Sequence, residues 1–242
     1  MEKQGLGIRR SGLGIGGWGF GTKGSGFGIA GWGFGTLLGL AILLMGSATA
    51  FAATVTDSPA RFTVNVRNYA KLDRKTLVRA GEVAHRVLQK AGIDATFIPL
   101  APDEKYLEGS TQGGLNLSIK VLSREMAKRL GLPTTNMGLA PGQEHERTEA
   151  YVFAHVAADL AQKQSDASLA EILGHAMAHE IGHLFNLQHC PQGIMHGDWD
   201  ERDVANMGKG MLNFSPEQAG QIRAEMSRRA NLAQTVEMAS LQ

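Results

Sequence analysis

Cysteine is nearly absent: the 242 residues contain one, Cys190. A single thiol excludes an intramolecular disulfide framework and a cysteine-rich zinc ribbon. Net charge is nearly absent too, with 24 Lys and Arg against 23 Asp and Glu. Nucleic-acid binding calls for a basic stripe or a strongly basic domain, so no nucleic-acid partner is expected. Long apolar runs are also missing. The most apolar stretch, residues 37–45, is about half of the ~20 residues that span a bilayer. What the chain has in excess is glycine, 31 in all, of which 16 lie in residues 1–46.

That glycine sits in a repeat. Residues 11–22 read SGLGIGGWGFGT and residues 25–36 read SGFGIAGWGFGT, a period of 14. Two copies are too few for a solenoid, which needs about three stacked units. Glycine at this density costs backbone entropy and offers little to pack. Residues 1–36 are therefore expected to be a disordered, low-complexity segment. Residues 37–52, LLGLAILLMGSATAFA, have the apolar core and alternating small residues of a secretory h-region and cleavage site. Cleavage there predicts a secreted or periplasmic protein; an uncleaved segment would instead anchor the chain in a membrane. Residues 53–242 then form the functional domain, with 20 Lys and Arg against 22 Asp and Glu.

Along this domain Phe62, Val64 and Val66 alternate with polar residues, the period of a half-buried strand. Residues 73–91 carry apolar positions at helical spacing, closed by Gly92. Residues 95–100 and 115–121 read as strands, and a short helix ends near Gly131. Residues 131–148 read as loop and 151–153 as a short strand. Residues 168–185 form a proline-free helix, and Ser215-Pro216-Glu217-Gln218 opens another that runs to about Ala230. With four strands, the order predicts an α+β fold, a small mixed β-sheet packed by helices.

The chemistry concentrates in residues 179–183, HEIGH. Positions i and i+4 share one helix face, so His179 and His183 can reach one metal ion with Glu180 beside them. This is the H-E-x-x-H zinc arrangement. Catalytic zinc takes three protein ligands and keeps a fourth position open, so a third ligand is required. His189 is the best candidate. Were the helix to continue, six residues at ~100° each would turn His189 to the far side of the axis. The helix must stop and the chain turn back, which favours a residue with positive φ, usually Gly and sometimes Asn. Asn186 stands in that interval. His175, one turn before His179, is an alternative ligand or a group that orients one. Asp198, Asp200 and Glu201 are carboxylate alternatives.

HEIGHLFNLQH followed by Met195 resembles the long zinc motif and Met-turn of the metzincin metallopeptidases, with Asn186 at the usual glycine position. Cys190 directly after the third histidine is similar to the archaemetzincins, whose further cysteines are missing here. The resemblance implies Zn²⁺ on His179, His183 and His189, Glu180 as general base, and Met195 as an apolar floor under the metal. It also implies a zincin-like domain with a sheet above the cleft and a C-terminal helix. The expected activity is zinc-dependent hydrolysis of a peptide or protein substrate. An alternative is an inactive zincin-fold envelope protein that binds metal or a partner, against which Glu180 argues, because binding alone needs no such carboxylate. His196, next to Met195, is a candidate for stabilising the oxyanion or contacting substrate. His85, His145 and His155 read as incidental. Asp200-Glu201-Arg202-Asp203 reads as a solvated charge cluster, and Arg223, Arg228 and Arg229 as a solvated helix face.

Overall fold

Strand β1 (Ala60–Asn68) lies inside the sheet, paired in parallel with β2 (Ile93–Leu100) on one side and β3 (Leu115–Leu122) on the other. The computed structural model describes residues 60–104 and 114–240. The glycine-rich segment 1–36 and the secretory-type segment 37–52 lie outside the described residues. Among the described residues, no helix is long and apolar enough to cross a membrane.

Phe62, Val64 and Val66 of β1 and Leu117, Ile119 and Val121 of β3 are buried at alternate positions, because successive side chains of a strand leave opposite faces. The intervening positions carry ion pairs instead, such as Lys120 to Glu149 at 2.7 Å. Two helices cover the apolar face. The first, α1 (Arg74–Lys90), starts at Asp73, whose carboxylate accepts the Thr76 amide. After a short helix α2 (Arg124–Arg129) come an edge strand β4 (Gly138–Leu139) and then β5 (Glu149–Phe153). β5 pairs in parallel with β3, and β4 runs antiparallel to β5. The sheet order is β2-β1-β3-β5-β4. The α+β mixed sheet is as expected, but among the described residues it has five strands rather than four. The fifth, β4, lies inside residues 131–148, which sequence alone reads as loop.

Helix α3 (Ala154–Lys163) follows β5 directly, and its N-cap residue, Phe153, makes no side-chain cap. With no start signal, the sequence reading passes over it. Helix α4 (Leu169–Leu184) is better marked: Ser168 and Glu171 form a reciprocal capping box. α4 is buried almost all round and packs tightly on α1. A Cβ at Gly174 would fall 2.5 Å from the Val83 Cβ and 2.6 Å from the Ala80 carbonyl oxygen, so only glycine allows this approach. Overpacking of this kind costs about 1–3 kcal/mol.

Helix α5 (Glu201–Gly208) corrects a second expectation. The acidic run is not a solvated cluster, because Asp200 and Asp203 form a capping box and Asp203 is buried. The last helix, α6 (Pro216–Ser240), continues ten residues past Ala230, through sequence with no Gly or Pro to stop it. Its arginines are not a free solvated face either. Arg229 is almost wholly covered, pairs with Glu225 at 2.8 Å, stacks over Phe185 and donates to the carbonyl of Leu184, the last residue of α4. The backbone carbonyls at a helix C-terminus lack intrahelical partners. Arg229 caps one of them, and Arg147 donates to another, that of His183, at 3.4 Å.

Candidate metal centre

The C-terminal half of α4 carries His179, Glu180 and His183 on consecutive turns, and the chain then reverses. Asn186 adopts φ +65°, the left-handed conformation the spacing asks for. The Leu187 amide donates to the Gly182 carbonyl at 3.0 Å and the Asn186 amide to that of His183 at 3.0 Å, the bonding of a Schellman-type stop. Two more bonds hold the turn: the Asn186 carboxamide accepts the His145 amide and donates to His145 Nδ1, at 3.0 and 2.9 Å. His145 is thus a support of this turn and not incidental.

The reversal brings His189 back over α4. The Nε2 atoms of His179, His183 and His189 lie 3.0–3.3 Å from one another. Two tautomers follow from the hydrogen bonds. A carbonyl oxygen can only accept, so Nδ1 of His179 donates to the Ile194 carbonyl at 2.7 Å and Nδ1 of His183 to that of Leu187 at 2.8 Å. Both Nε2 atoms therefore face the cluster as lone pairs. Lone pairs this close repel unless a cation lies between them. Burial holds the His179 imidazole at about 3, far below its usual range, and lowers that of His183 as well, which favours the neutral, ligating form. Tetrahedral coordination at ~2.0–2.1 Å places nitrogens about 3.3–3.4 Å apart. The donor set fits a tetrahedral metal ion such as zinc.

Glu180 is 2% exposed, and its Oε2 has no hydrogen-bond partner among the described residues. Burial alone pushes its carboxyl up to about 8. Gly138 of β4 presses on it from the other side. Glu180 and the three histidines line a cleft of about 900 Å³, walled by residues 134–140 along β4 and by residues 196–199.

The segment after His189 supports the cluster from below. Met195 is fully buried against Gly182, where a Cβ would come 2.6 Å from its sulfur. The Ile194 carbonyl accepts from His179 and also from Trp199 Nε1 at 3.2 Å, and Trp199 stands edge-on to the His179 ring. His196 lines the cleft, with its Nδ1 bonded to Asp203 at 2.6 Å.

The remaining sequence candidates fall elsewhere. His175 lies outside the cluster, bonded through Nδ1 to the Glu171 carbonyl at 2.8 Å. Cys190 Sγ faces the Gln192 carbonyl and the Gln218 amide. His85 and His155 hold carbonyls of Ala95 and Thr134. Asp198 lines the cleft, while Asp200 caps α5. Sequence reasoning missed Gly138, the Asp203 partner of His196 and the Glu225–Arg229 clamp. Only the Asp200–Asp203 capping spacing offered a signal for any of them.

Residues 146–237, which include the whole cluster, match the model of a family described as "Putative peptidase family". No curated protein sequence matches the chain. Among solved structures, a zinc-dependent peptidase from Methanocorpusculum labreanum aligns at 15% identity and a TM-score of 0.42, over 66% of this chain and 99% of that one. Archaemetzincin from Methanopyrus kandleri aligns at 15% identity and a TM-score of 0.43, over 72% and 99%.

Proposed function

We propose that this protein is a zinc-dependent endopeptidase of metzincin type, with His179, His183 and His189 as zinc ligands and Glu180 as general base. The observation that carries the reading is three imidazole Nε2 atoms within 3.0–3.3 Å of one another, beside one buried carboxylate in an open cleft. Bound there, zinc supplies Lewis acidity toward the scissile carbonyl and toward water. The other steps belong to the chain's own residues. Glu180 takes a proton from the attacking water at a carboxylate oxygen and passes it to the leaving amine. Its dry surroundings favour the protonated carboxyl, which makes it a strong base while ionised and a competent acid once protonated. A neighbouring cation would lower that value.

β4 is the edge of the sheet and borders the cleft. An edge strand offers unpaired main-chain groups to an extended peptide, which gives a substrate backbone a place to align. His196, which lines the cleft and is held by Asp203 at 2.6 Å, stabilises the developing oxyanion in this reading. Met195 serves as the Met-turn floor, bracing Gly182 and so the His183 side of the cluster. We place the mature protein, from about residue 53, in the periplasm or outside the cell, which N-terminal sequencing of the purified native protein would check.

The test is zinc per chain together with hydrolysis of an unstructured protein such as casein. The parent should hold one zinc and cleave; Glu180→Gln should keep the zinc and lose cleavage by at least a hundredfold. A folded parent that takes up no zinc, or a zinc-loaded Glu180→Gln protein that still cleaves, would overturn the reading.

A further inference from the structure

At the other end of α4, away from the histidine cluster, lies a second pocket of about 340 Å³ between α1, α4 and the end of α5. Its walls are cationic. Arg79, Arg86 and Lys90 come from one side of α1, and Lys209 from the end of α5. Arg79 is shared with Glu82 at 3.0 Å, and Lys90 donates to the Gly210 carbonyl at 2.5 Å, which leaves its ammonium further protons to donate. Among the described residues one carboxylate lines the pocket, Glu171, and it is already engaged: its Oε2 accepts from the Ser168 amide and hydroxyl at 2.7 and 2.8 Å.

The floor is His175, 2% exposed. Its Nδ1–H donates to the Glu171 carbonyl, so Nε2 is the acceptor nitrogen. That Nε2 is buried and has no partner among the described residues. A buried polar atom without a hydrogen bond costs about 1–3 kcal/mol. Gly174, the preceding residue, lets α1 approach α4 closely. The pocket therefore asks for two things at once, anionic oxygens for its four cations and one O–H for a neutral imidazole.

We propose that this pocket binds inorganic hydrogen phosphate, with Arg79, Arg86, Lys90 and Lys209 on its anionic oxygens and its hydroxyl donating to His175 Nε2. Hydrogen phosphate near neutral pH carries both the charge and the O–H. Sulfate has the charge and shape but no proton to donate. A phosphomonoester loses its last proton near pH 6, so at higher pH it too lacks the donor. Burial, with Arg86 and Lys90 nearby, lowers the pKa of the His175 imidazole and keeps Nε2 an acceptor.

Calorimetric titration of the full, zinc-loaded chain at pH 7.5 and constant ionic strength tests this with inorganic phosphate, sulfate and methyl phosphate. One phosphate should bind at least tenfold more tightly than either competitor. Arg86→Gln should weaken phosphate and sulfate alike by at least fivefold, and His175→Phe should abolish the preference for phosphate. Sulfate binding as tightly as phosphate would leave only a cationic patch and overturn the proposal. So would absence of phosphate binding at millimolar concentration, or phosphate binding untouched by Arg86→Gln, which would place the anion at the histidine cluster. The parent comparison and the exposed Arg86 variant decide the matter even if His175→Phe fails to fold.

Discussion

Gly138 lies directly over the carboxylate of Glu180: a Cβ at that position would fall 2.6 Å from the Glu180 Cδ. The edge strand and the proposed base are therefore in contact, and the contact requires glycine for space. Gly138→Ala should push either β4 or the carboxylate aside. We expect kcat/KM to fall at least tenfold, about 1.4 kcal/mol of transition-state stabilisation, with zinc content unchanged. Unaltered cleavage by a Gly138→Ala protein would show that Glu180 is free to move without penalty.

Asn186 sets the reversal that returns His189. A side chain branched at Cβ resists φ near +65°. Asn186→Val should lower stability by about 2 kcal/mol and weaken zinc binding, because His189 no longer returns cleanly. Asn186→Gly relieves the backbone but removes both bonds to His145, so its stability should stay within about 1 kcal/mol of the parent. Thermal unfolding and competitive zinc titration read the two effects separately.

Glu225 gathers Arg228 and Arg229. Those hydrogen bonds, Arg228 first, hold its carboxyl at about 2, below its ordinary 4.5. A depressed folded-state value means that the stabilisation is complete above the unfolded value and is lost as pH falls toward the folded one. The parent should therefore lose stability between pH 4.5 and 2. Glu225→Gln should be less stable at pH 7, by about 2–3 kcal/mol for the lost charged hydrogen bonds, and flatter across the acid range. Urea unfolding midpoints at several pH values would show whether the two curves converge in acid.

His196 and Asp203 form a short pair on the cleft wall. If His196 acts on the oxyanion, His196→Gln should lower kcat ten- to a hundredfold while KM changes less than threefold, since only the transition state gains from it. Zinc content should not change. A rise in KM alone would assign His196 to substrate binding.

Local pattern was enough for much of this protein. The alternation in β1 and β3, the apolar spacing of α1, the capping signal of α6, the metal-type spacing of His179 and His183, and the need for a turn at Asn186 all depend on near neighbours in the chain. Those physical causes act over a few residues, so they can be read along the sequence. β4 could not be read, because two residues become a strand only by pairing with β5. α3 begins without a cap, and α5 begins with acidic residues that look solvated until Asp203 is seen buried against His196. What tertiary structure alone decided is how distant segments meet. Gly138 comes over Glu180, the Ile194 carbonyl meets His179 Nδ1, Arg229 closes the end of α4, and four cations from two separate segments line one pocket with His175. Each of these contacts joins residues whose proximity is fixed by packing rather than by local preference, and burial in those contacts is what gives the site's titrating groups their altered character.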